Sequence, residues 1–205
     1  MNRSQLINAV KGRIDEVSPL TGNVLVDVGF GDGKTIDSVI DSLLDESAQE
    51  LYMIAPIHYL NVSTITNIAI PNQNDNKIGI VKLPLDYLRI VEFRMQEWER
   101  SVFETVLPGS ILEKRQSNEY LRGNISLPVV VMKNNSDGNY YEYYSVNTDH
   151  TIKINTYIKK EPAENAKETL QASIVLLTAS KYFLMNGMIE NAKLANESAI
   201  KLLLK

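Results

Sequence analysis

The pattern with the clearest chemical meaning is a glycine-rich run that follows an apolar stretch and ends in Gly33-Lys34-Thr35. An apolar strand, a glycine-rich turn and a helix that starts with Gly-Lys-Thr together form the phosphate-binding loop of many nucleotide-binding enzymes. That loop needs four residues between its first glycine and the Gly-Lys pair, whereas Gly29 and Gly33 enclose three, and Val28 stands where the first glycine belongs. Asp32 would also repel a phosphate. The run therefore favours a connector that caps a helix, with a nucleotide-binding enzyme as the alternative.

Metal and nucleophile chemistry have few candidate residues. The sequence has no cysteine and two histidines, His58 and His150, which do not have the spacing of metal ligands. No Gly-x-Ser-x-Gly segment provides a serine nucleophile. We therefore predict no catalytic residue, no metal and no cofactor, and we interpret both histidines as structural.

Nucleic-acid binding also lacks its usual residues. The side chains of Tyr140, Tyr141, Tyr143 and Tyr144 could stack on bases, but no run of Lys or Arg accompanies them. The formal net charge is -4, and gripping DNA requires clustered cations that displace counterions from phosphates. We therefore expect the tyrosines to pack across strands or to contact a protein, and we expect no measurable affinity for duplex DNA at physiological salt.

Helices are predicted at both ends of the chain. Apolar residues three and four positions apart indicate a helix from Arg3 to Val17, and Thr35 or Asp32 can cap a second helix that ends at Ala55, before Pro56. Another helix follows Pro162, which suits a first-turn position, and Asn186-Gly187 separates it from the last helix. In the helix after Pro162, residues Leu170 to Phe183 are apolar on two faces, which predicts a central position in a bundle.

The segment between these helices has the composition of β-strands. Short runs rich in β-branched and aromatic residues alternate there with Pro, Gly, Asn and Asp. In one run Val91, Phe93 and Met95 alternate with polar residues, which predicts one apolar and one polar face. Short connections join the last three runs, so we expect them to form an antiparallel meander. The predicted strands are Asn67–Ile70, Lys77–Val81, Leu88–Gln96, Leu127–Lys133, Tyr140–Val146 and Thr151–Ile158.

These elements predict an α+β protein in which helices from both chain ends form a bundle around a β-rich antiparallel insertion. The predicted boundaries are 1–64 for the N-terminal helices, 65–160 for the insertion and 161–205 for the C-terminal helices. Polar residues interrupt the most apolar stretch, Leu170 to Met185, and no secretory signal is visible, so we expect no membrane segment.

The most informative stretch is Leu83–Val102, with Asp86 in a predicted turn, Arg89 in the following strand, and Trp98 and Arg100 beyond that strand. It resembles the Leu-Pro-x-Asp-aromatic-Leu-Arg-Leu-Val … Trp … Arg element of head-to-tail connector proteins of tailed bacteriophages, particularly the crAss-like group that infects gut Bacteroidetes. That family shares the order of helices, β-rich insertion and helices, although the glycine-rich run has no match in it.

The resemblance implies a non-enzymatic virion protein at the portal-tail connector, made in the host cytoplasm. Such a subunit would form a homo-oligomeric ring, a dodecamer if the symmetry of the portal applies, and would contact the portal and other ring or tail-hub proteins. DNA would pass through its channel without specific binding. The implied interface residues are Asp86, Arg89, Trp98 and Arg100. The alternatives are the nucleotide-binding enzyme and a non-viral protein interaction module.

One surface is a candidate for the lumen of that channel. The predicted second helix carries Asp37, Asp41 and Asp45 on one face. An acidic lumen suits the passage of DNA, because lysines and arginines would hold its phosphates. The same face could instead meet a basic patch on a partner.

Overall fold

The computed structural model describes residues 1–17, 35–136, 138–147 and 149–203, and the chain divides into two compact units. The helical unit comprises Met1–Leu60 and Lys160–Lys205, and the β unit comprises Asn61–Lys159. Helices from both chain ends and antiparallel sheets between them confirm the predicted α+β fold class. The glycine-rich run up to Lys34 lies outside the described residues.

The elements are numbered in chain order. The helices are α1 (Arg3–Val17), α2 (Ile36–Ile54), α3 (Ile111–Gln116), α4 (Glu168–Met185) and α5 (Ile189–Leu203). The strands are β1 (Val62–Thr64), β2 (Ile70–Pro71), β3 (Ile78–Lys82), β4 (Tyr87–Met95), β5 (Val129–Asn135), β6 (Gly138–Tyr144) and β7 (Ile152–Lys159).

Local signals set the ends of the helices in the helical unit. Thr35 caps α2, since its hydroxyl oxygen accepts a hydrogen bond from the backbone N–H of Ser38 at 3.3 Å. Helix α4 ends at Met185 with Asn186 as its C-cap, and Gly187 adopts a φ of +74° that favours glycine. Pro162 was expected in the first turn of α4, but it precedes a separate 3-10 turn, Ala163–Asn165, and α4 begins at Glu168.

Helix α4 is the centre of the bundle, because α1, α2 and α5 all pack against it. Leu170, Ile174, Leu177 and Phe183 are buried, as predicted. The small side chains of α5 allow close packing, and Ser180 of α4 donates a hydrogen bond to the carbonyl of Ala192 on α5 at 2.7 Å. The prediction was wrong for Ala172, which is exposed, because three neighbouring helices leave part of α4 uncovered.

The β unit contains two antiparallel sheets. Their strand orders are β1-β7-β4 and β2-β3-β6-β5. The predicted meander of the last three strands is therefore wrong after β6, since β5 pairs with β6 but β7 belongs to the other sheet. The chain leaves the β2-β3-β6-β5 sheet directly after β6, where Ser145 has a φ of +77°, an unusual conformation for a residue with a side chain.

Strand β4 departs from simple alternation. Phe93 and Met95 are buried as predicted, but Val91 is only half-buried and Ile90 takes a core position. The pairing of β4 with β7 shifts register between Ile90 and Glu92, which is the kind of irregularity that turns side chains to the other face.

Two short elements were not predicted, strand β1 and helix α3. Because β1 pairs with β7, the β unit begins at Asn61 and not at residue 65. The strand expected at Asn67–Ile70 is reduced to Ile70–Pro71, where β2 pairs with β3.

The central position of α4 gives a first prediction. Replacement of Leu177, which is 6% exposed, by alanine leaves a cavity at a buried position of α4, and we expect it to lower the free energy of unfolding by about 2–5 kcal/mol. The matched control is Leu184→Ala on the same helix, where the side chain is 56% exposed and the expected change is within about 0.5 kcal/mol. Urea unfolding followed by circular dichroism measures both, and equal losses would contradict the packing described here.

Candidate assembly surface

The Leu83–Val102 stretch forms a turn, strand β4 and a second turn. The backbone N–H of Tyr87 donates to the carbonyl of Pro84 at 3.1 Å, which confirms the tight turn predicted there. Asp86 accepts a hydrogen bond from the hydroxyl of Tyr157 at 3.0 Å, and this bond joins the turn to β7.

Trp98 is an anchor of the β-unit core and is 1% exposed. Its ring lies edge-on to Phe93 at 5.5 Å and to Tyr143 at 6.4 Å between ring centres. Its indole N–H donates to the carbonyl oxygen of Ser145 at 3.2 Å. Since Ser145 marks the exit of the chain from β6, Trp98 supports the geometry of that exit.

Arg89 and Arg100, the two arginines among the implied interface residues, have different surroundings. Arg89 lies opposite Ile158 of β7 and is half-buried, and this burial lowers the pKa of its guanidinium. Arg100 is exposed. Trp98 therefore packs in the core of the β unit. Among the implied interface residues, Asp86 and Arg89 are half-buried and Arg100 is exposed.

The segment between β4 and β5 has a feature that sequence reasoning missed. Helix α3 presents Ile111 and Leu112 to the exterior, at 71% and 51% exposure, while the polar side chain of Gln116 is buried. Soluble helices normally bury their apolar face and expose their polar face. The signal was available in the sequence as an apolar pair directly after the N-cap Ser110, but six residues are too few for a periodic pattern.

Internal hydrogen bonds hold this inverted helix in place. The carboxamide of Gln116 donates to the carbonyl of Leu112 at 2.8 Å and accepts from the N–H of Gly123 at 2.9 Å. Arg122 donates to the carbonyl of Gln116 at 3.1 Å and pairs with Asp75 at 2.6 Å. The outward position of the apolar residues is thus a built feature of the fold.

Further large apolar side chains of the same segment are exposed. We call this group, together with Ile111 and Leu112, the assembly surface. Its other members are Phe103 (60% exposed), Leu107 (75%), Tyr120 (94%), Leu121 (61%) and Leu127 (62%). The seven residues share one stretch of sequence, residues 103–127, and contiguous patches of exposed apolar side chains mark sites that bind other proteins.

The acidic face of α2 has partners within the chain. Asp37 pairs with Lys11 of α1 at 2.8 Å. Asp41 and Asp45 each pair with Arg3 of α1 at 2.7 Å. These ion pairs tie α1 to α2, and a place for this face in a channel lumen or against another protein stays a prediction.

Histidine and tyrosine side chains have structural roles in the β unit. The Nε2 of His150 lies 2.8 Å from the carbonyl oxygen of Asn76, so it carries the proton, and Nδ1 accepts from the hydroxyl of Tyr143 at 2.5 Å. Tyr141 and Tyr143 are fully buried, which confirms that they pack across strands. Gly79 of β3 pairs with Tyr143 of β6. A side chain at Gly79 would collide with the hydroxyl of Tyr143, so glycine is required there.

Within residues 1–17, 35–136, 138–147 and 149–203, no group of three His, Asp or Glu side chains could hold a metal ion. In the same part of the chain, no helix combines the length and apolar character needed to cross a membrane.

None of the models of known protein families matches the chain, and a search of curated proteins also finds no match.

The environment of Trp98 gives a second prediction. Trp98→Ala removes a buried ring and leaves the carbonyl of Ser145 without its donor, so we expect a loss of about 3–5 kcal/mol in unfolding free energy. Trp98→Phe should cost less, because it keeps most of the packing and loses mainly the N–H. Arg100→Ala is the surface control, with an expected change within about 0.5 kcal/mol. Thermal unfolding followed by circular dichroism distinguishes the three, and a neutral Trp98→Ala would contradict the anchoring role.

The carboxyl of Asp45 gives a third prediction. Partial burial works to raise its pKa, but hydrogen bonds from Arg3 and from the N–H of Ala163 outweigh that effect, so its pKa lies below the ordinary value of 3.8. A carboxyl with a lowered pKa in the folded state stabilises the fold above its unfolded pKa, and this contribution is lost as the pH falls through the folded pKa.

We therefore expect Asp45→Asn to reduce the dependence of unfolding free energy on pH below about pH 4. Glu197→Gln, at an exposed position of α5, makes the same change of charge and is the control. Denaturant titrations across the acid range provide the measurement. An acid limb equally steep in Asp45→Asn and in the unmodified protein would count against this role.

Proposed function

We propose that this chain is a non-enzymatic ring or adaptor subunit that joins the portal to the tail of a tailed bacteriophage of the crAss-like group and extends its DNA channel. The proposal rests on the resemblance of Leu83–Val102 and on the shared order of helices, β-rich insertion and helices. Its site of action would be the portal-tail connector of the virion.

The observation that carries the proposal is the inverted helix α3. A short helix that buries Gln116 and exposes Ile111 and Leu112 would be poorly placed in a permanently isolated protein, because water would surround its apolar side chains. A partner that covers this surface removes that cost. An assembly subunit needs such a surface, whereas an enzyme acting alone does not.

A homo-oligomeric ring provides a partner for every subunit. In a ring, one surface of each subunit meets a different surface of the next, so an exposed apolar group on one edge is covered all the way round. The portal and the neighbouring ring or tail-hub proteins would cover surfaces above and below. A dodecamer would match the symmetry of the portal.

The electrostatics favour passage of DNA over its capture. The helical unit uses Arg3, Lys11 and Lys181 in ion pairs with its own acids, which leaves these cations less available to phosphates. With a formal net charge of -4, the chain lacks the cationic excess that drives counterion release. Duplex DNA would move past such a subunit without being held.

The assembly surface gives the fourth prediction. We expect Ile111→Ser combined with Leu112→Ser to abolish ring formation with the purified portal protein of the same phage, while the free energy of unfolding changes by less than about 0.5 kcal/mol, because both side chains are exposed. Ile200→Ser, at a 40%-exposed apolar position of α5, is the matched control and should still assemble.

Native mass spectrometry of each variant, with and without portal, measures the assembly. A monomer without portal agrees with the proposal, since such subunits can assemble on their partner. Failure of the unmodified chain to bind portal, together with its absence from purified virions by peptide mass spectrometry, would overturn the proposal.

A further inference from the structure

Helix α3 of the assembly surface carries positive charge next to its exposed apolar residues. Lys114 and Arg115 follow Ile111 by three and four positions, so the three side chains share one face of the helix. Both cations are exposed, and neither forms an ion pair within the described residues. Glu113, the acid of α3, pairs instead with Lys133 of β5 at 3.4 Å. The exterior of α3 is therefore both apolar and cationic.

The C-terminal end of α2 has the opposite combination. Met53 and Ile54, the last two residues of the helix, are exposed, and so is Ile57 in the turn that follows. Glu50 precedes Met53 by three positions and Ile54 by four, which places its carboxylate on the same side of the helix. This end of α2 therefore joins exposed apolar side chains to an acid one turn earlier.

The charge on this side of α2 is not balanced within the chain. Glu46 and Glu50 both pair with the same cation, Lys181 of α4, at 2.7 and 2.8 Å. The two glutamate side chains remain 65% and 55% exposed, whereas that of Lys181 is 17% exposed. Since one lysine carries a single positive charge, negative charge remains at the surface beside Ile54.

Other exposed apolar groups of the helical unit lack such an excess of acid. Residues 184–189, at the turn between α4 and α5, are apolar but uncharged. Helix α5 also exposes apolar side chains, but its acids alternate with lysines. Lys193 follows Glu190 by three positions, and Lys201 follows Glu197 by four, so charge on α5 is balanced within the helix. Neither group complements the exterior of α3.

The spacing on α2 and α3 matches when the two helices lie antiparallel. On α3, Lys114 and Arg115 follow Ile111 by one turn, and on α2, Glu50 precedes Ile54 by one turn. One turn of an α-helix is about 5.4 Å along the axis. An antiparallel crossing therefore brings Ile111 against Ile54 and, at the same time, both cations beside Glu50.

We propose that the exterior of α3 in one copy of the chain docks on the C-terminal end of α2 in the next copy, with Ile111 against Ile54 and Glu50 beside Lys114 and Arg115. Two different surfaces of one chain form a head-to-tail contact, which is the kind that closes into a ring. Burial of the apolar side chains favours the contact, and the charges set its register. The inference rests on the ring of the proposed function and names the two surfaces that form it.

The absence of cysteine from the sequence allows a test by disulfide cross-linking. Ile111→Cys and Ile54→Cys are made in separate copies, mixed in equal amounts with purified portal protein of the same phage, and oxidised with copper phenanthroline. Two cysteines can form a disulfide when their Cα atoms lie within about 7 Å. We expect a covalent heterodimer of the two variants on a non-reducing gel. A chain with both substitutions should give a ladder of higher species.

A matched control keeps the cysteine in the helical unit but moves it away from α2. Leu184→Cys replaces an apolar side chain that is 56% exposed, against 57% for Ile54. Mixed with Ile111→Cys under the same conditions, it should give no heterodimer above the background of an unoxidised sample.

Charge reversal tests the register of the contact. Lys114→Glu combined with Arg115→Glu, in the copy with Ile111→Cys, should lower the yield of heterodimer at least about tenfold, because like charges then meet at Glu50. Glu50→Lys in the copy with Ile54→Cys should restore most of the yield, since opposite charges meet again. Circular dichroism of each variant shows whether it is folded.

Three results would overturn the contact. The first is equal cross-linking of Ile111→Cys with Ile54→Cys and with Leu184→Cys, and the second is the absence of the heterodimer, whether or not portal is bound. The third is a dimer of Ile111→Cys with itself as the main product, which indicates a two-fold contact. Native mass spectrometry of the same mixtures shows separately whether the chain assembles on portal. Failure of this contact is therefore distinguishable from failure of the ring proposal.

Discussion

The pairing of β1 with β7 is the constraint on which the rest of the structure depends. It places the first and last strands of the β unit antiparallel, with Val62 opposite Ile158, so that the insertion begins and ends at neighbouring points. Closing a long insertion in this way lets the helices on either side of it join one bundle. Within the helical unit, Lys167 donates to the carbonyls of His58 at 3.2 Å and of Leu60 at 3.0 Å, which fixes the segment where the chain leaves the helices.

Ion pairs align the helices of the helical unit with one another. Arg3 joins α1 to Asp41 and Asp45 of α2 and also to Glu164, which lies just before α4. On the other side of α2, Lys181 of α4 pairs with Glu46 and Glu50. Partly exposed ion pairs each contribute little free energy. Their value lies in the alignment they impose, because α2 carries acids on two sides and each side meets cations of a different helix.

The sequence predicted well wherever a local signal decided the outcome. The spacing of Leu6, Val10 and Ile14 in α1, the cap at Thr35 and the stop at Gly187 each depend on a few neighbouring residues. The position of β7 in a second sheet depends on its pairing with β1 and β4, which are distant in the sequence. The residues around Ser145 do not predict the positive φ found there.

The candidate site was predicted less well, for a similar reason. The resemblance implied that Trp98 lies at an interface, whereas its side chain is buried in the core of the β unit, and the exposed residues of the assembly surface were not recognised in the sequence. The register shifts of β4 likewise come from its pairing with β7, so no alternation read along Val91–Met95 could reveal them. Residues that break local rules, such as the exposed Ile111 and the buried Gln116, became visible only with their neighbours in place.

The division of the helical unit has a consequence for synthesis on the ribosome. Helices α1 and α2 emerge early, but α4, which covers their apolar faces, is complete only at Met185. At about 5–20 residues per second, those faces wait on the order of 10 s for their partner. The β unit lies in one uninterrupted stretch and can fold during that interval. The nascent chain therefore exposes Leu6, Ile40 and Leu44 to solvent for longer than any residue of the β unit, and these side chains are where a chaperone is most needed.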